Sequence, residues 1–149
     1  MNKHVTIICG FSGIGKSTAD QRSKDVVDVE SSGWSHVFPS GEKNPEFPKN
    51  YIDHLCKMIE EWPSKTFLLS CHEEVRRELR SRGMEYIIVL PDTYCENEYK
   101  KRWLRRGSSV EFINMMSDRW RDMIESCESD PAAKIYLDED EYIGELLCV

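Results

Sequence analysis

The sequence predicts an α/β fold built on a mainly parallel sheet covered on both faces. Three observations lead there. Five short apolar runs, at 5–9, 26–29, 66–70, 86–90 and 133–137, are rich in the residues that favour strands. The segments between them carry apolar residues at helical spacing. The first run, Val5-Thr6-Ile7-Ile8-Cys9, leads directly into the glycine-rich stretch Gly10-Phe11-Ser12-Gly13-Ile14-Gly15-Lys16-Ser17. Strands that alternate with helices in this way join in parallel through crossovers. At 149 residues the chain is sized for a single domain, 1–149, with room for a core.

After the glycine-rich stretch, Ser17 to about Ser23 reads as a first helix whose apolar face is little more than Ala19. Val26-Val27-Asp28-Val29 is a second strand, ending at Glu30-Ser31-Ser32-Gly33. Residues 33–50 hold Gly33, Pro39, Gly41, Pro45 and Pro48 and form a long irregular connection. Its aromatic residues Trp34, Phe38 and Phe47 argue against disorder. Ile52, Leu55, Cys56, Ile59 and Trp62 recur at helical spacing, and Pro63 closes that helix. Thr66–Ser70 is a third strand. Ser70-x-x-Glu73 reads as a capping box for a helix with Val75 and Leu79 inward, ended by Gly83.

Tyr86–Leu90 is a fourth strand, stopped by Pro91. Cys95, Tyr99 and Trp103 mark one face of the next helix, and Gly107 ends it. Ser108-x-x-Glu111 reads as a second capping box, opening one long helix with the stripe Phe112, Ile113, Met116, Trp120, Met123, Ile124 and Cys127. Asp130-Pro131 breaks that helix, and Ala133–Leu137 is a fifth strand. Asp138-x-x-Glu141 then caps a last helix with Tyr142, Ile143, Leu146 and Leu147 inward. The acidic run 138–141 therefore reads as a helix start rather than a ligand site.

The formal net charge of −7 disfavours generic binding to nucleic acid or to acidic membranes. No run approaches the roughly 18 apolar residues of a membrane-spanning helix. Met1-Asn2-Lys3-His4 runs straight into the first strand, so no secretory leader is expected. The six cysteines are scattered without a C-x-x-C pair, which predicts reduced thiols in a cytoplasmic protein. Cys71 and His72 are adjacent, poor geometry for one tetrahedral ion, so no structural zinc is expected.

The stretch 10–17 fits G-x-x-x-x-G-K-[ST], the phosphate-binding loop, in the strand–loop–helix setting that the motif requires. Its glycines permit backbone angles that let consecutive N–H groups wrap a phosphate at a helix N-terminus. Phe11, Ser12, Gly13, Ile14, Gly15, Lys16, Ser17 and Thr18 are thus the candidate triphosphate-binding residues. Lys16 would reach the β- and γ-phosphates, and the Ser17 hydroxyl would ligate Mg²⁺.

Ligands of an open parallel sheet sit beyond the C-terminal strand ends. Asp28 and Glu30, two apart, point the same way from the second strand. They would hold Mg²⁺ through water, take a proton from an attacking hydroxyl, or bind an acceptor's sugar or base; the plain alternative is a solvated edge acid. Ser31, Ser32 and Trp34 follow at once, and Trp34 either stacks on a base or plugs the core. Lys100–Arg106 is the densest positive cluster. Arg102, Arg105 and Arg106 share a helix side. They either complement a helix C-terminus or supply cations for phosphoryl transfer.

Together these parts resemble the P-loop nucleoside and nucleotide kinases, most of all the small nucleotide kinases of phages and their bacterial hosts. The stretches that carry the likeness are the phosphate loop, Asp28-Val29-Glu30-Ser31-Ser32, residues 44–52, Ser70-Cys71-His72-Glu73-Glu74-Val75-Arg76 and Arg105-Arg106-Gly107-Ser108. The resemblance implies a three-layer fold with a five-stranded parallel sheet in the order 2-3-1-4-5. It also implies an acceptor-binding segment at about 28–55 and a short arginine-bearing lid at about 99–112. It implies transfer of the ATP γ-phosphate to a (deoxy)nucleoside monophosphate, with Lys16, Arg102, Arg105 and Arg106 catalytic and with Asp28, Glu30, Ser31, Ser32 and Trp34 at the acceptor. Many P-loop proteins end the third strand in an aspartate facing the metal's water shell. Here that end is Ser70-Cys71-His72-Glu73, which leaves Glu30 or Glu73 for the task.

Two other functions compete. The D-x-E on the second strand resembles the acidic motif of shikimate kinases, which would make the acceptor an alcohol, such as a nucleoside or a shikimate- or gluconate-like metabolite, and Asp28 or Glu30 its base. A non-catalytic nucleotide-binding module is the third. A GTPase switch is not expected, since neither D-x-x-G after the second strand nor N-K-x-D is present.

Overall fold

The computed structural model describes residues 5–37 and 40–149. The four residues at the start and Phe38 and Pro39 of the irregular connection, on which parts of the sequence reading fall, lie outside them. The chain runs β1 (Thr6–Gly10), α1 (Lys16–Arg22), β2 (Val26–Val29), α2 (Ser32–Ser35), β3 (His36–Val37), β4 (Glu42–Lys43) and α3 (Lys49–Glu61). It continues through β5 (Thr66–Ser70), α4 (Glu73–Ser81), β6 (Ile87–Pro91), a 3₁₀ turn at Thr93–Cys95 and α5 (Glu96–Arg105). The last elements are α6 (Val110–Asp118), α7 (Trp120–Glu128), β7 (Lys134–Leu137) and α8 (Ile143–Leu146).

β2, β5, β1, β6 and β7 lie side by side in that order as one five-stranded sheet, every pair parallel. β3 and β4 form a separate antiparallel pair. The three inner strands read as continuous apolar runs because both their faces are covered. Ile7-Ile8-Cys9, Phe67-Leu68-Leu69 and Ile88-Val89-Leu90 are all buried, whereas edge strand β7 exposes Tyr136. Helices surround the sheet: α1 packs on β2 and α8, α3 on α4, and α7 on β6.

This arrangement positions a site. β1 is the central strand, and the chain leaves it first toward β5 and β2, later toward β6 and β7. The register pairs Gly10 with Ser70 and with Val89, so β1 and β5 end level and β6 runs two residues further, to Pro91. Such a switch point opens a crevice above the sheet.

Several local expectations change. The Ser70-x-x-Glu73 capping box does not form: His72 is the N-cap without a side-chain bond, and Ser70 Oγ donates instead to Ser31 Oγ at 2.6 Å. At α6 the cap is Ser109, one residue later than expected, and it accepts from Phe112 N–H at 3.1 Å. The long stripe divides into α6 and α7 at Arg119, whose ψ of 3° departs from a helical value. Pro91 closes β6 from inside the strand; β1 pairs only as far as Val89, so the missing N–H of Pro91 costs no bond on that side. Trp62 is exposed, and the buried face of α3 is Tyr51, Ile52 and Leu55. Asp138–Glu141 forms a turn in which Asp138 N–H donates to Glu141 Oε1 at 2.7 Å, and α8 starts later and buries only Ile143.

Candidate functional site

The loop between β1 and α1 forms a cup. Gly13 and Gly15 both adopt φ of +97°, a region that L side chains resist. At Gly10 a Cβ would fall 2.5 Å from Ile14 Cδ1, so a side chain where the loop leaves the strand would have to displace the end of buried Ile14. Ile14 is fully buried, and its carbonyl accepts from Ile143 N–H at 2.9 Å. Phe11 turns its ring inward, 5.4 Å from Trp120 and edge-on, while its N–H donates to Val89 O at 3.0 Å. That N–H belongs to the sheet and is not free for a ligand. Trp103 Nε1 donates to Ser12 O at 3.3 Å and Arg102 Nη1 to Gly13 O at 3.1 Å, which braces the cup from below.

The first helical bond of α1 runs from Ala19 N–H to Gly15 O at 3.0 Å. Lys16, Ser17 and Thr18 thus carry N–H groups ahead of any helical acceptor, all three lining the cleft. Lys16 Nζ donates to Gly10 O at 2.8 Å and Phe11 O at 3.2 Å. Burial holds the Lys16 ammonium below its ordinary pKa, with the Asp28 carboxylate the main opposing influence. Burial pushes Asp28 up in turn, with Lys16 opposing. Unpaired N–H donors and a cation lining one cleft are the kind of arrangement that can receive a multiply charged anion.

The second-strand residues divide. Asp28, Glu30, Ser31 and Ser32 all line the cleft. Asp20 Oδ2 accepts from the Asp28 N–H at 2.8 Å and holds this end of β2. Glu30 Oε1 accepts from Ser32 N–H at 2.9 Å, and buried Ser31 is tied to Ser70. Trp34 lies outside the cleft lining. Its ring stacks on His54 at 4.6 Å, and its carbonyl accepts from Asn50 Nδ2 at 2.9 Å. Glu73, exposed at the rim, is paired with Arg77 at 2.6 Å, which holds its carboxyl below the usual range.

The three arginines have three different environments. Arg102 is buried between the rings of Tyr99 and Tyr142, 4.5 and 3.8 Å from their centres. Besides Gly13 O, its guanidinium donates to Glu139 O at 2.8 Å and Glu141 O at 2.9 Å, so it fastens the loop to the turn after β7. Arg105 is exposed and pairs with Glu98 at 3.1 Å. Arg106 reaches over the cup: Nη2 donates to Ser12 Oγ at 2.9 Å and Nε to Ser108 Oγ at 3.0 Å.

The far wall was not legible in the sequence. The cleft encloses about 1270 Å³, and beyond the cup it is bounded by His72 and Arg76 at the head of α4 and by Met115 on α6, Arg119 at the break and Met123 on α7. Arg76 is buried and donates to Cys71 O at 3.2 Å, Ser126 O at 3.1 Å and Ser126 Oγ at 2.7 Å. Its carboxylate partner is buried Asp130, 3.0 Å away, where the sequence indicated only a helix breaker. The one local hint was the position of Arg76 in the stretch 70–76; its partner lies 54 residues on. Among the described residues no group of three or more His, Cys, Asp or Glu is arranged to hold a metal ion.

No protein-family model matches this chain, and no curated protein matches it. Among solved structures it is similar to a tunicamycin resistance protein from Deinococcus radiodurans, with a TM-score of 0.61 at 15% identity over 97% of this chain and 91% of that one. It also matches an uncharacterized protein from Eubacterium ventriosum at 16% identity and a TM-score of 0.46, over 93% of this chain and 92% of that one. The first likeness is one of fold, an α/β domain with a five-stranded parallel sheet and helices around it. No helix among the described residues is long and apolar enough to cross a membrane.

Proposed function

We propose that this chain is an ATP- and Mg²⁺-dependent phosphotransferase of the P-loop kinase type, with a (deoxy)nucleoside monophosphate as acceptor. The observation that carries the reading is the convergence on one cup of the Lys16 ammonium, the orphan N–H groups of residues 16–18 and the Arg106 guanidinium. Counted along the chain, the parallel strands lie in the order 2-3-1-4-5 with the loop after the central one, and this supports the same reading.

In this proposal the loop N–H groups and Lys16 hold the β- and γ-phosphates. Arg106, at the end of α5, neutralises charge on the transferring group from the opposite side. Arg102 acts indirectly, fixing Gly13 and so the shape of the cup. Mg²⁺, when bound, would supply the charge neutralisation that phosphoryl transfer needs. The Ser17 hydroxyl would hold it directly, and Asp28 or Glu30 through water, since Glu73 is occupied by Arg77. The acceptor's phosphate is already a nucleophile, so the protein contributes positioning and charge neutralisation rather than a base.

One observation favours a second reading, in which the acceptor is an alcohol. Asp28 is part-buried beside Lys16 with a raised pKa, a suitable environment for a general base. A coupled assay of ADP release against all ribo- and deoxyribonucleoside monophosphates, free nucleosides and small hydroxy acids tests both. Transfer to monophosphates alone, abolished in Lys16→Ala, is the expected result. Transfer only to alcohols replaces the first reading with the second. Tight ATP binding without any phosphorylated product refutes both in favour of a binding module.

A further inference from the structure

Cys71 and Cys127 come from different elements, the residue after β5 and the last turn of α7, yet their sulfurs are 3.3 Å apart. This is the only sulfur–sulfur hydrogen bond among the described residues. Two cysteines 56 apart in sequence meet here because Arg76 clamps both segments. Its guanidinium binds the carbonyl of Cys71 itself and both the carbonyl and the hydroxyl of Ser126, the neighbour of Cys127. Asp130 in turn holds Arg76 in place. Cys71 is half-buried and Cys127 buried, and both border the cleft.

We infer that Cys71 and Cys127 form an oxidisable thiol pair, a reversible modification site that joins the wall of the cleft to the end of the central sheet. The reagent class is a small peroxide entering by the cleft. The fixed contact leaves about 1.3 Å of approach to the roughly 2.0 Å of a disulfide, since the sulfurs already stand 3.3 Å apart. The local charges favour a thiolate within the pair. The Cys71 hydrogen bond, opposed by burial and helped by Arg76, lowers the Cys127 thiol. Asp130 acts against it and Lys134 with it, while the hydrogen bond with Cys127 and burial, with buried Cys9 on β1 adding to them, push the Cys71 thiol up.

The chemistry balances as follows. Cys127 is the thiolate and Cys71 keeps the proton of the S–H···S contact. The Cys127 sulfur attacks one peroxide oxygen and the O–O bond breaks. The departing hydroxide takes up a proton from solvent as water, leaving Cys127 as a sulfenic acid. Cys71 sulfur then attacks Cys127 sulfur, the S–O bond breaks, and hydroxide leaves with the Cys71 proton as a second water. Two thiols are oxidised to one disulfide and the peroxide is reduced to two waters. Nothing in these steps depends on what the cleft binds.

The test uses the full chain, treated with hydrogen peroxide near neutral pH, then unfolded, alkylated and mapped by mass spectrometry. Of the six cysteines, four should remain alkylatable, six minus the joined two. A peptide linking Cys71 to Cys127 should appear and be lost after dithiothreitol. Cys71→Ser and Cys127→Ala should each show no internal crosslink, and Cys9→Ala should still form it. If a variant fails to fold, the map of the unaltered chain decides alone. A crosslink between other cysteines, sulfinic acid at Cys71 or Cys127 without a crosslink, or six free thiols after treatment would overturn the assignment.

Discussion

Replacing Asp130 by alanine tests the network that shapes the far wall of the cleft. Asp130 accepts from Arg76 Nη1 at 3.0 Å, Arg80 Nη1 at 2.5 Å, Tyr86 OH at 2.8 Å and Ala132 N–H at 2.9 Å. Its side chain is fully buried, and that of Arg76 is 3% exposed, so neither charge has water to fall back on. Arg80 is one-third exposed and can turn outward, but Arg76 cannot. Removing one partner of a buried pair leaves an uncompensated charge and costs about 3–5 kcal/mol. For a chain of this size that corresponds to a melting temperature lower by roughly 6–20 °C, at about 2–4 °C per kcal/mol.

The pH dependence follows from the sign of the Asp130 shift. Burial raises its pKa, but the hydrogen bonds from Ala132, Tyr86 and Arg76 outweigh that, and the net direction is downward. The stabilisation is therefore fully present above the ordinary carboxylate pKa of 3.8 and is lost as pH falls through the depressed native value. The gap between Asp130→Ala and the unaltered protein should close in acid. Urea titration followed by the fluorescence of buried Trp103 and Trp120 measures it. The double replacement Arg76→Met with Asp130→Leu should recover most of the loss, because no buried charge remains. A loss below about 1 kcal/mol in Asp130→Ala, against the range expected for a broken buried pair, would refute the reasoning.

Further tests address the cup and its chemistry. Gly13→Ala should weaken ATP binding at least tenfold, since a Cβ at φ +97° would stand 3.1 Å from both Trp103 Nε1 and Tyr99 Cδ2; isothermal calorimetry reads the change. Arg106→Ala should lower the rate of transfer far more than it lowers melting temperature, because its contacts to Ser12 and Ser108 lie at the exposed surface. Arg102→Ala should do the reverse in proportion, with a clear loss of stability, as its buried guanidinium holds three carbonyls. With an alcohol acceptor, the acid limb of kcat/KM should lie above the ordinary carboxylate range, because burial raises Asp28. Asp28→Asn should then cut the rate by about 10²–10⁴-fold and remove the limb; with a monophosphate acceptor the same variant should retain a plain pH profile.

Much of the fold was legible because the chain encodes it locally. A strand buried on both faces must be apolar throughout, so 66–70 was visible as an element of its own, and β5 spans Thr66–Ser70. A loop that must turn through φ +97° twice needs glycine, so Gly13 and Gly15 stood out. Helix periodicity located α5 by Tyr99 and Trp103, both fully buried. It did not locate the break at Arg119, because Met116, Trp120 and Ile124 stay on the buried side through the change of direction.

By itself, the sequence determined which segments alternate between sheet and helix, and that the loop after the first strand turns on glycines. Only the tertiary structure decided where the polar side chains end. Arg102, Arg105 and Arg106 are indistinguishable by spacing, yet α5 ends at Arg105, so Arg106 leaves the helix and meets Ser12, 94 residues away, while Arg102 is enclosed by Tyr142. Trp34 found His54 rather than the cleft, and Arg76 found Asp130. Local pattern follows from the geometry of the backbone, which each short segment carries within itself. A buried cation or thiol is placed by whichever distant group satisfies it, and that partner exists only once the strands have been brought side by side.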